Sequence, residues 1–263
     1  MAMNYTAWAD WYDIFYSGAD PAELNFYQGI CKAIQGPILE IGVGTGRVSL
    51  PLAQAGMEIV GIDLFEPMLK VAQRKALAVA PLKGSLNLIQ ADMRSFDLQR
   101  QFPIVIMPAR TLLLATTEEE QLRTLCCAAN HLTSGGTMAF NLFYPDPEML
   151  AEDPEEEFLL EVMEKPEGGR YVLTAKNHFD TVTQLNHGTQ IAEELDQNGN
   201  SLRRQELDVL VRYLHPEQVI NLCDLVGLEI LEMWGDFEGH ELNEDSEEIV
   251  VLARHTESKL TIT

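Results

Sequence analysis

Three carboxylates and a run of glycines are the residues of this chain whose types and spacing suit ligand chemistry. In Ile38-Leu39-Glu40-Ile41-Gly42-Val43-Gly44-Thr45-Gly46-Arg47 an apolar strand ends in alternate glycines and runs into a helix. Glycine permits positive φ and close approach of a ligand to the backbone, and a helix N-terminus offers unpaired N–H groups, so a small molecule bearing a carboxylate or phosphate fits there. The spacing is G-x-G-x-G, not the G-x-G-x-x-G that seats a dinucleotide pyrophosphate. A second apolar run, 58–62, ends in Asp63, placed to accept both hydroxyls of a ribose. A third run, 86–90, leads to Asp92-Met93, a carboxylate and an apolar side chain at the same edge, suited to holding an adenine. Each feature has a plain structural alternative: a tight strand-to-helix turn for the glycines, an N-cap near Pro67 for Asp63, a capped turn for Asp92. Together the three are far more specific than any one.

The elements that must position these residues follow from hydrophobic periodicity. Trp8, Trp11, Tyr12, Phe15 and Tyr16 sit at helical spacing, and Leu24, Phe26, Tyr27, Ile30 and Ile34 form a second amphipathic segment after Pro21. Apolar runs at 37–41, 58–62, 86–90, 104–107 and 137–142 alternate with helical stretches, the pattern of a parallel sheet covered on both faces. After Pro145-Asp146-Pro147 that alternation stops. An acidic stretch, 152–157, precedes period-2 segments at 171–181, 190–196 and 202–213, the last two joined by Gln197-Asn198-Gly199-Asn200, a strong hairpin signal. The pattern predicts an antiparallel meander with Leu207, Val209, Val211 and Tyr213 on one face and Glu206, Asp208 and Arg212 on the other. A helix after Pro216 closes at Gly227, and strands near 228–234 and 247–254 complete the chain.

Composition narrows the partners. Across 263 residues, 18 Lys and Arg face 41 Asp and Glu, a net charge of −23 that argues against a nucleic-acid or anionic-membrane partner. With 46% hydrophobic and 22% charged residues the chain reads as globular. Cys31, Cys126, Cys127 and Cys223 form no CxxC pair and lie near no histidine at metal spacing, so they read as reduced core residues and no metal site is expected. The aromatic, acidic start lacks the grammar of a signal peptide, and no apolar stretch is long enough to span a bilayer, so a cytoplasmic protein is expected.

The chain resembles the class I S-adenosylmethionine-dependent methyltransferases. The matching segments are LEIGVGTGR (39–47), GIDLFEPMLKVAQRKA (61–76), QADMRSFDL (90–98), FPIVIMPARTLLL (102–114) and LTSGGTMAFNLF (132–143), with weaker matches in WYDIFY and HPEQVINLCDLVGLEILEMWGDF. The resemblance spans nearly the whole chain outside roughly 150–205. It implies an α/β fold: a Rossmann-like, seven-stranded, mostly parallel sheet with helices on both faces and an inserted antiparallel β-meander. The implied division is an N-terminal helical lid (1–36), a cofactor-binding core (37–147 and 214–256) and the meander (148–213). The implied cofactor is S-adenosylmethionine, leaving as S-adenosylhomocysteine. Glu40, Gly42 and Gly44, with Gly46 completing the loop, would line its methionine portion, and Asp63 would bind the ribose. Leu64, Met68 and Met93 would flank the adenine, Asp92 would accept from the adenine amino group, and Pro108 would lie near the sulfonium. Phe65 stands where the family usually has Ser.

The family often uses the N-terminal helix as a lid whose tyrosine reaches the cofactor, which makes Tyr16 a cofactor candidate. No general base is assigned; Tyr12, Tyr144 and His178 are the candidates, although a strand histidine such as His178 is more often structural. Candidates for the methyl acceptor are Arg110, Asn141, Phe143, Tyr213, Asp236 and Phe237, at strand ends, on the meander and in the 235–240 loop. For Arg110 the alternatives are an acidic substrate group, the cofactor carboxylate or a surface glutamate. The expected activity is methyl transfer to nitrogen or oxygen of a small molecule by a monomer or homodimer. The N-terminal tyrosines and the meander are reminiscent of enzymes that methylate amines or amino sugars. The competing readings are a nucleotide-linked oxidoreductase, which the glycine spacing disfavours, and a non-catalytic S-adenosylmethionine-binding protein.

Overall fold

The computed structural model describes residues 8–16 and 20–256. Two helices come first, α1 (Ala9–Tyr16) and α2 (Pro21–Ile34). The second starts where Asp20 accepts from the Ala22 N–H and Pro21 occupies the first turn, which needs no donor there. The α/β part then runs β1 (Ile38–Ile41), α3 (Ser49–Gln54), β2 (Glu58–Asp63), α4 (Glu66–Ala78), β3 (Ser85–Gln90), β4 (Phe102–Met107), α5 (Glu118–Asn130) and β5 (Leu132–Phe143). A short helix, α6 (Pro147–Leu150), leads to β6 (Phe158–Glu164), β7 (Arg170–Lys176), β8 (Phe179–Asp180), β9 (Leu185–Leu195) and β10 (Ser201–Arg212). The chain returns through α7 (Pro216–Leu225) to β11 (Leu228–Trp234) and β12 (Glu248–His255).

The main sheet has seven strands in the order β3-β2-β1-β4-β5-β12-β11, with β1 to β5 parallel and β12 antiparallel to both neighbours. Apolar runs become central strands because alternate residues feed different layers. Leu39, Ile41, Val105 and Met107 join Leu125, Ala128 and Leu222 on the face covered by α5 and α7. Ile38, Ile104 and Ile106 face Tyr27, Cys31, Val48 and Leu52 on the side covered by α2 and α3. The expected architecture, a mostly parallel seven-stranded sheet with helices on both faces and an added antiparallel sheet, is the one found. All four cysteines are free thiols.

The antiparallel sheet differs in detail from the sequence pattern. Its order is β10-β9-β7-β6, with β8 paired to β9. Strand β6 gave no period-2 signal because it is an edge strand, largely exposed along its length, so Leu159, Leu160, Val162 and Met163 need no polar alternation. The expected strand 171–181 breaks after Lys176, where side chains replace the ladder: Asn186 donates to Asn177 Oδ1, and the His178 N–H donates to Asn186 Oδ1. Arg212, expected on a solvent face, is buried. Its guanidinium donates to Gln121 Oε1 and Gln184 Oε1, while Gln121 donates back to the Arg212 carbonyl.

Helix α1 joins the two sheets. Trp8 and Trp11 pack with Leu173, Ala192 and Leu207 of the antiparallel sheet, while Tyr12 also packs beside Met68 and Val71 of α4. No helix among the described residues is long and apolar enough to cross a membrane.

Candidate functional site

The ends of β1, β2, β3 and β4 meet at one edge of the main sheet around a cavity of about 420 Å³, within the range of small-molecule sites. Gly42, Gly44, Asp63, Leu64, Met68, Asp92 and Met93 lie on its wall, as does Tyr12 of α1. So do Phe65, Arg94, Ala109, Thr111, Leu114, Thr116, Glu120 and, from the antiparallel sheet, Leu210.

The floor is built by backbone hydrogen bonds. The N–H groups of Gly42 and Val43 both donate to the Ile62 carbonyl, so the loop after β1 folds back onto β2. Asp63 extends that clamp: its Oδ2 accepts from the Gly44 N–H and its Oδ1 from the Phe65 N–H, each at 2.8 Å. Burial raises the Asp63 carboxyl above its ordinary value, while the Phe65, Gly44 and Leu64 N–H groups pull the other way. The loop itself demands glycine. Gly42 has φ +74°, and a Cβ there would sit 2.4 Å from Thr111 Cγ2. At Gly44, with φ +54°, a Cβ would meet only ordinary contact with Met68 Cε at 3.6 Å, so it is the left-handed backbone that favours glycine there.

Four expected cofactor residues are not on the cavity wall. Glu40 is buried beneath the loop, where it accepts from the Ser49 hydroxyl; burial pushes its carboxyl up to about 8. Gly46 faces Ala72, serving helix packing. Pro108 is buried and its carbonyl accepts from the Thr111 hydroxyl at 2.6 Å. The Tyr16 ring lies 5.0 Å from that of Tyr12, tilted by 40°, and its side chain bonds Gln190 of β9; burial pushes its hydroxyl up to about 12.

Around the rim, each basic side chain meets an acidic one. Arg47, beside the loop, donates to both oxygens of Glu23 from α2, at 2.5 and 2.9 Å, and to the Tyr12 hydroxyl. Burial raises the Tyr12 hydroxyl despite that arginine. Lys75 donates to Asp13 at 2.9 Å and lies 3.5 Å from the Thr45 hydroxyl, tying α1 to α4 and the loop. Asp92 is held by Arg94, which also reaches Glu120.

None of the expected acceptor residues lines the cavity. Arg110 and Ala109 are consecutive non-glycine residues at φ +59° and +57°, an uncommon backbone that clusters at functional sites. The Arg110 Nε donates to Glu248 Oε1 at 2.9 Å. Asn141 donates to Glu248 Oε2 and accepts from the Tyr27 hydroxyl. Phe143 lies under the Arg110 guanidinium. Tyr213 is core, ringed by Phe143, Phe179 and His215. Phe237 packs on Phe26 and Tyr27. Asp236 pairs with exposed His240, and with Glu238 these place ligand atoms within 4.8 Å of one another. His178 is exposed beside His187 on the antiparallel sheet, and Tyr144 packs against the core; neither lines the cavity.

Arg94, Thr111, Glu120 and Leu210 were not found from sequence. Arg94 directly follows Asp92-Met93, a signal that was present; the others reach the site only through tertiary packing.

Comparison with known proteins agrees with this geometry. The family described as "Methyltransferase domain" matches residues 38–136. A cypemycin N-terminal methyltransferase from Streptomyces sp. is 32% identical over 99 residues, 38% of this chain and 38% of that protein. The CcbJ methyltransferase of Streptomyces caelestis superposes with a TM-score of 0.74 at 25% identity, covering 90% of this chain and 97% of that one. The sugar N-methyltransferase KedS8 of Streptoalloteichus superposes at 0.72 and 21% identity, covering 94% and 93%. The chain spans 38 to 58% of the length of the first curated relatives it matches.

Proposed function

We propose that the chain, whose residues 38–136 match a methyltransferase-domain family and which superposes on a known methyltransferase, is a class I S-adenosylmethionine-dependent methyltransferase that transfers a methyl group to a nitrogen or oxygen atom of a small molecule. The observation that carries this reading is the Asp63 clamp: one half-buried carboxylate holds the Gly44 loop and borders a cavity whose other walls include Leu64, Met68, Asp92 and Met93. That donor set fits the cofactor. Asp63 supplies a carboxylate for vicinal hydroxyls, the apolar side chains suit a purine, and the bare Gly44 backbone admits close approach. When bound, S-adenosylmethionine supplies a methyl group on a positively charged sulfur, activated for in-line displacement.

The protein's contribution is therefore alignment and exclusion of water. Tyr12 closes the cavity from α1, and the Trp8 and Trp11 rings anchor that helix to the antiparallel sheet. Tyr16, Arg110 and Phe143 border the acceptor side. An amine acceptor needs only to bind deprotonated, so no general base is required; a hydroxyl acceptor would need one, and Tyr16, with its hydroxyl raised by burial, is a poor base. The amino-sugar reading gains support from the likeness to a sugar N-methyltransferase along nearly the full chain.

Two measurements test the proposal. Purified protein is screened with labelled S-adenosylmethionine against amines, amino sugars and phenols. Calorimetry with S-adenosylhomocysteine compares wild type with Asp63→Asn, for which affinity falls by about 10- to 100-fold as a charged acceptor is lost. Undiminished affinity in the variant, or binding of a dinucleotide in its place, defeats the reading.

A further inference from the structure

Strand β4 ends in a turn whose backbone suits neither of its side chains. Ala109 and Arg110 follow one another at φ +57° and +59°, in the left-handed region that glycine enters freely and that crowds the Cβ of other residues. The chain then makes one short helical turn, Thr111–Leu114, and the segment puts Ala109, Thr111, Leu114 and Thr116 on the cavity wall. Thr111 also fills the space under the glycine loop, so closely that a Cβ on Gly42 would stand 2.4 Å from Thr111 Cγ2. A shift of this turn therefore moves the wall and the loop's support together.

The turn is tied to the rest of the molecule through Glu248, the first residue of β12. Arg110 Nε and Nη2 both donate to Glu248 Oε1, at 2.9 and 2.5 Å. Glu248 Oε2 accepts from Asn141 Nδ2 of β5 at 2.9 Å, and Asn141 Oδ1 accepts from the Tyr27 hydroxyl of α2. Asn141 and Tyr27 are buried, and the Glu248 side chain is 14% exposed against 47% for Arg110. The carboxylate end of the pair is thus anchored in the core, while the arginine end rides on the turn. Contacts between an arginine fork and a carboxylate are directional as well as strong, so this one can resist rotation of the backbone that carries Arg110.

We propose that Glu248 is a positioning residue: through Arg110 it holds the left-handed turn after β4, and with it the wall formed by Ala109, Thr111 and Leu114, in the shape that binds the cofactor. Strained backbone persists where the surrounding structure over-determines it, and the chain Tyr27–Asn141–Glu248 supplies that constraint from outside the turn. Neither Glu248 nor Arg110 lines the cavity, so both act at one remove. The inference rests on the reading of this cavity as the S-adenosylmethionine site.

The test is calorimetric binding of S-adenosylhomocysteine to wild type, Glu248→Ala, Arg110→Ala, Arg110→Gly and the double variant Glu248→Ala with Arg110→Gly, each checked for folding by thermal melting. Arg110→Ala and Arg110→Gly remove the same guanidinium and leave the same carboxylate without it. They differ in that glycine takes positive φ without strain. Glu248→Ala and Arg110→Ala weaken binding by about 5- to 100-fold, whereas Arg110→Gly stays within about 3-fold of wild type. In the Arg110→Gly background, Glu248→Ala changes affinity by less than about 2-fold, because the turn no longer needs its clamp. A merely stabilising ion pair does not separate alanine from glycine at position 110. Equal affinities of the two Arg110 variants overturn the inference, as does unchanged affinity in folded Glu248→Ala, and both leave the cofactor reading standing. The Arg110 pair decides the question should Glu248→Ala fail to fold. A wild type that does not bind S-adenosylhomocysteine overturns both readings.

Discussion

Glu40→Gln isolates the cost of the buried carboxyl beneath the glycine loop. Glu40 is 2% exposed, and burial lifts its carboxyl from 4.5 to about 8, against the Ser49 hydroxyl bond and Arg47, with Glu23 and Asp63 adding to the rise. The folded pKa is raised, so the stability this group contributes is fully present below pH 4.5 and is lost as pH climbs toward 8. Over that window the unfolded chain releases a proton that the native state retains, and stability falls by about 1.36 kcal/mol per pH unit. At pH 7 the loss is about 3 kcal/mol. Glutamine is neutral throughout and its amide oxygen still accepts from Ser49, so the variant escapes the loss. At roughly 2–4 °C per kcal/mol for a chain of this size, the variant melts about 6–12 °C above wild type at pH 7, and the two converge near pH 4.5. The assay is thermal unfolding of ligand-free protein from pH 4.5 to 8.5, scored as the difference between the two proteins so that other carboxylates cancel. Parallel curves across that range would refute the placement of Glu40 as a neutral, buried acid. A destabilising group retained under the loop is what a functional site displays when activity and stability conflict.

Two further substitutions probe the loop's supports. Gly42→Ala places a Cβ 2.4 Å from Thr111 Cγ2 at a φ of +74°, and costs about 2–4 kcal/mol in urea denaturation; wild-type stability would show that the strand-to-helix turn shifts freely. Glu23→Gln strips the partner from Arg47, whose side chain is 14% exposed against 5% for Glu23. The unpaired buried charge costs about 3–5 kcal/mol, and the loss persists in high salt because a buried pair is little screened. A loss that salt abolishes would mark the pair as a surface contact.

How far sequence reached into this structure depends on the range of the interaction concerned. Asp63 was legible because strand, acid and loop are close in the chain and obey a local rule: the carboxylate at the end of β2 meets the N–H groups of Gly44 and Phe65. Ile38 and Leu39 announced a buried strand because both faces of a parallel sheet are covered. Glu40 was misplaced for the same reason that its strand was found, since parity in β1 sends it to the layer of Ile38, beside Tyr27 and Cys31 and under the loop. Arg212 was misread because alternation predicts only one buried face, and the end of β10 is covered on both, by α5 beside Arg212 and by the aromatic cluster around Tyr213. Thr111 beneath Gly42 and Leu210 above the cavity are set by contacts between distant segments, on which periodicity is silent.

The acidic surplus gains meaning only with these pairings. Of the cations at the cavity rim, Arg47 faces Glu23, Lys75 faces Asp13, Arg94 faces Asp92 and Glu120, and Arg110 faces Glu248. Each is neutralised by the protein's own carboxylate before any ligand arrives. A polyanionic acceptor such as a phosphate ester would have to compete with one of these acids for its cation, and at Arg47, whose side chain is 14% exposed, displacing the partner costs more than a solvated pair returns. An acceptor that is neutral or carries an amine meets no such barrier. The approach of a protonated amine is favoured by the field of a chain with 41 acids and 18 bases. On the proposed reading, raising ionic strength therefore slows methylation of an amine and leaves that of a neutral phenol nearly unchanged, a comparison made within one preparation of the enzyme by running the two acceptors side by side.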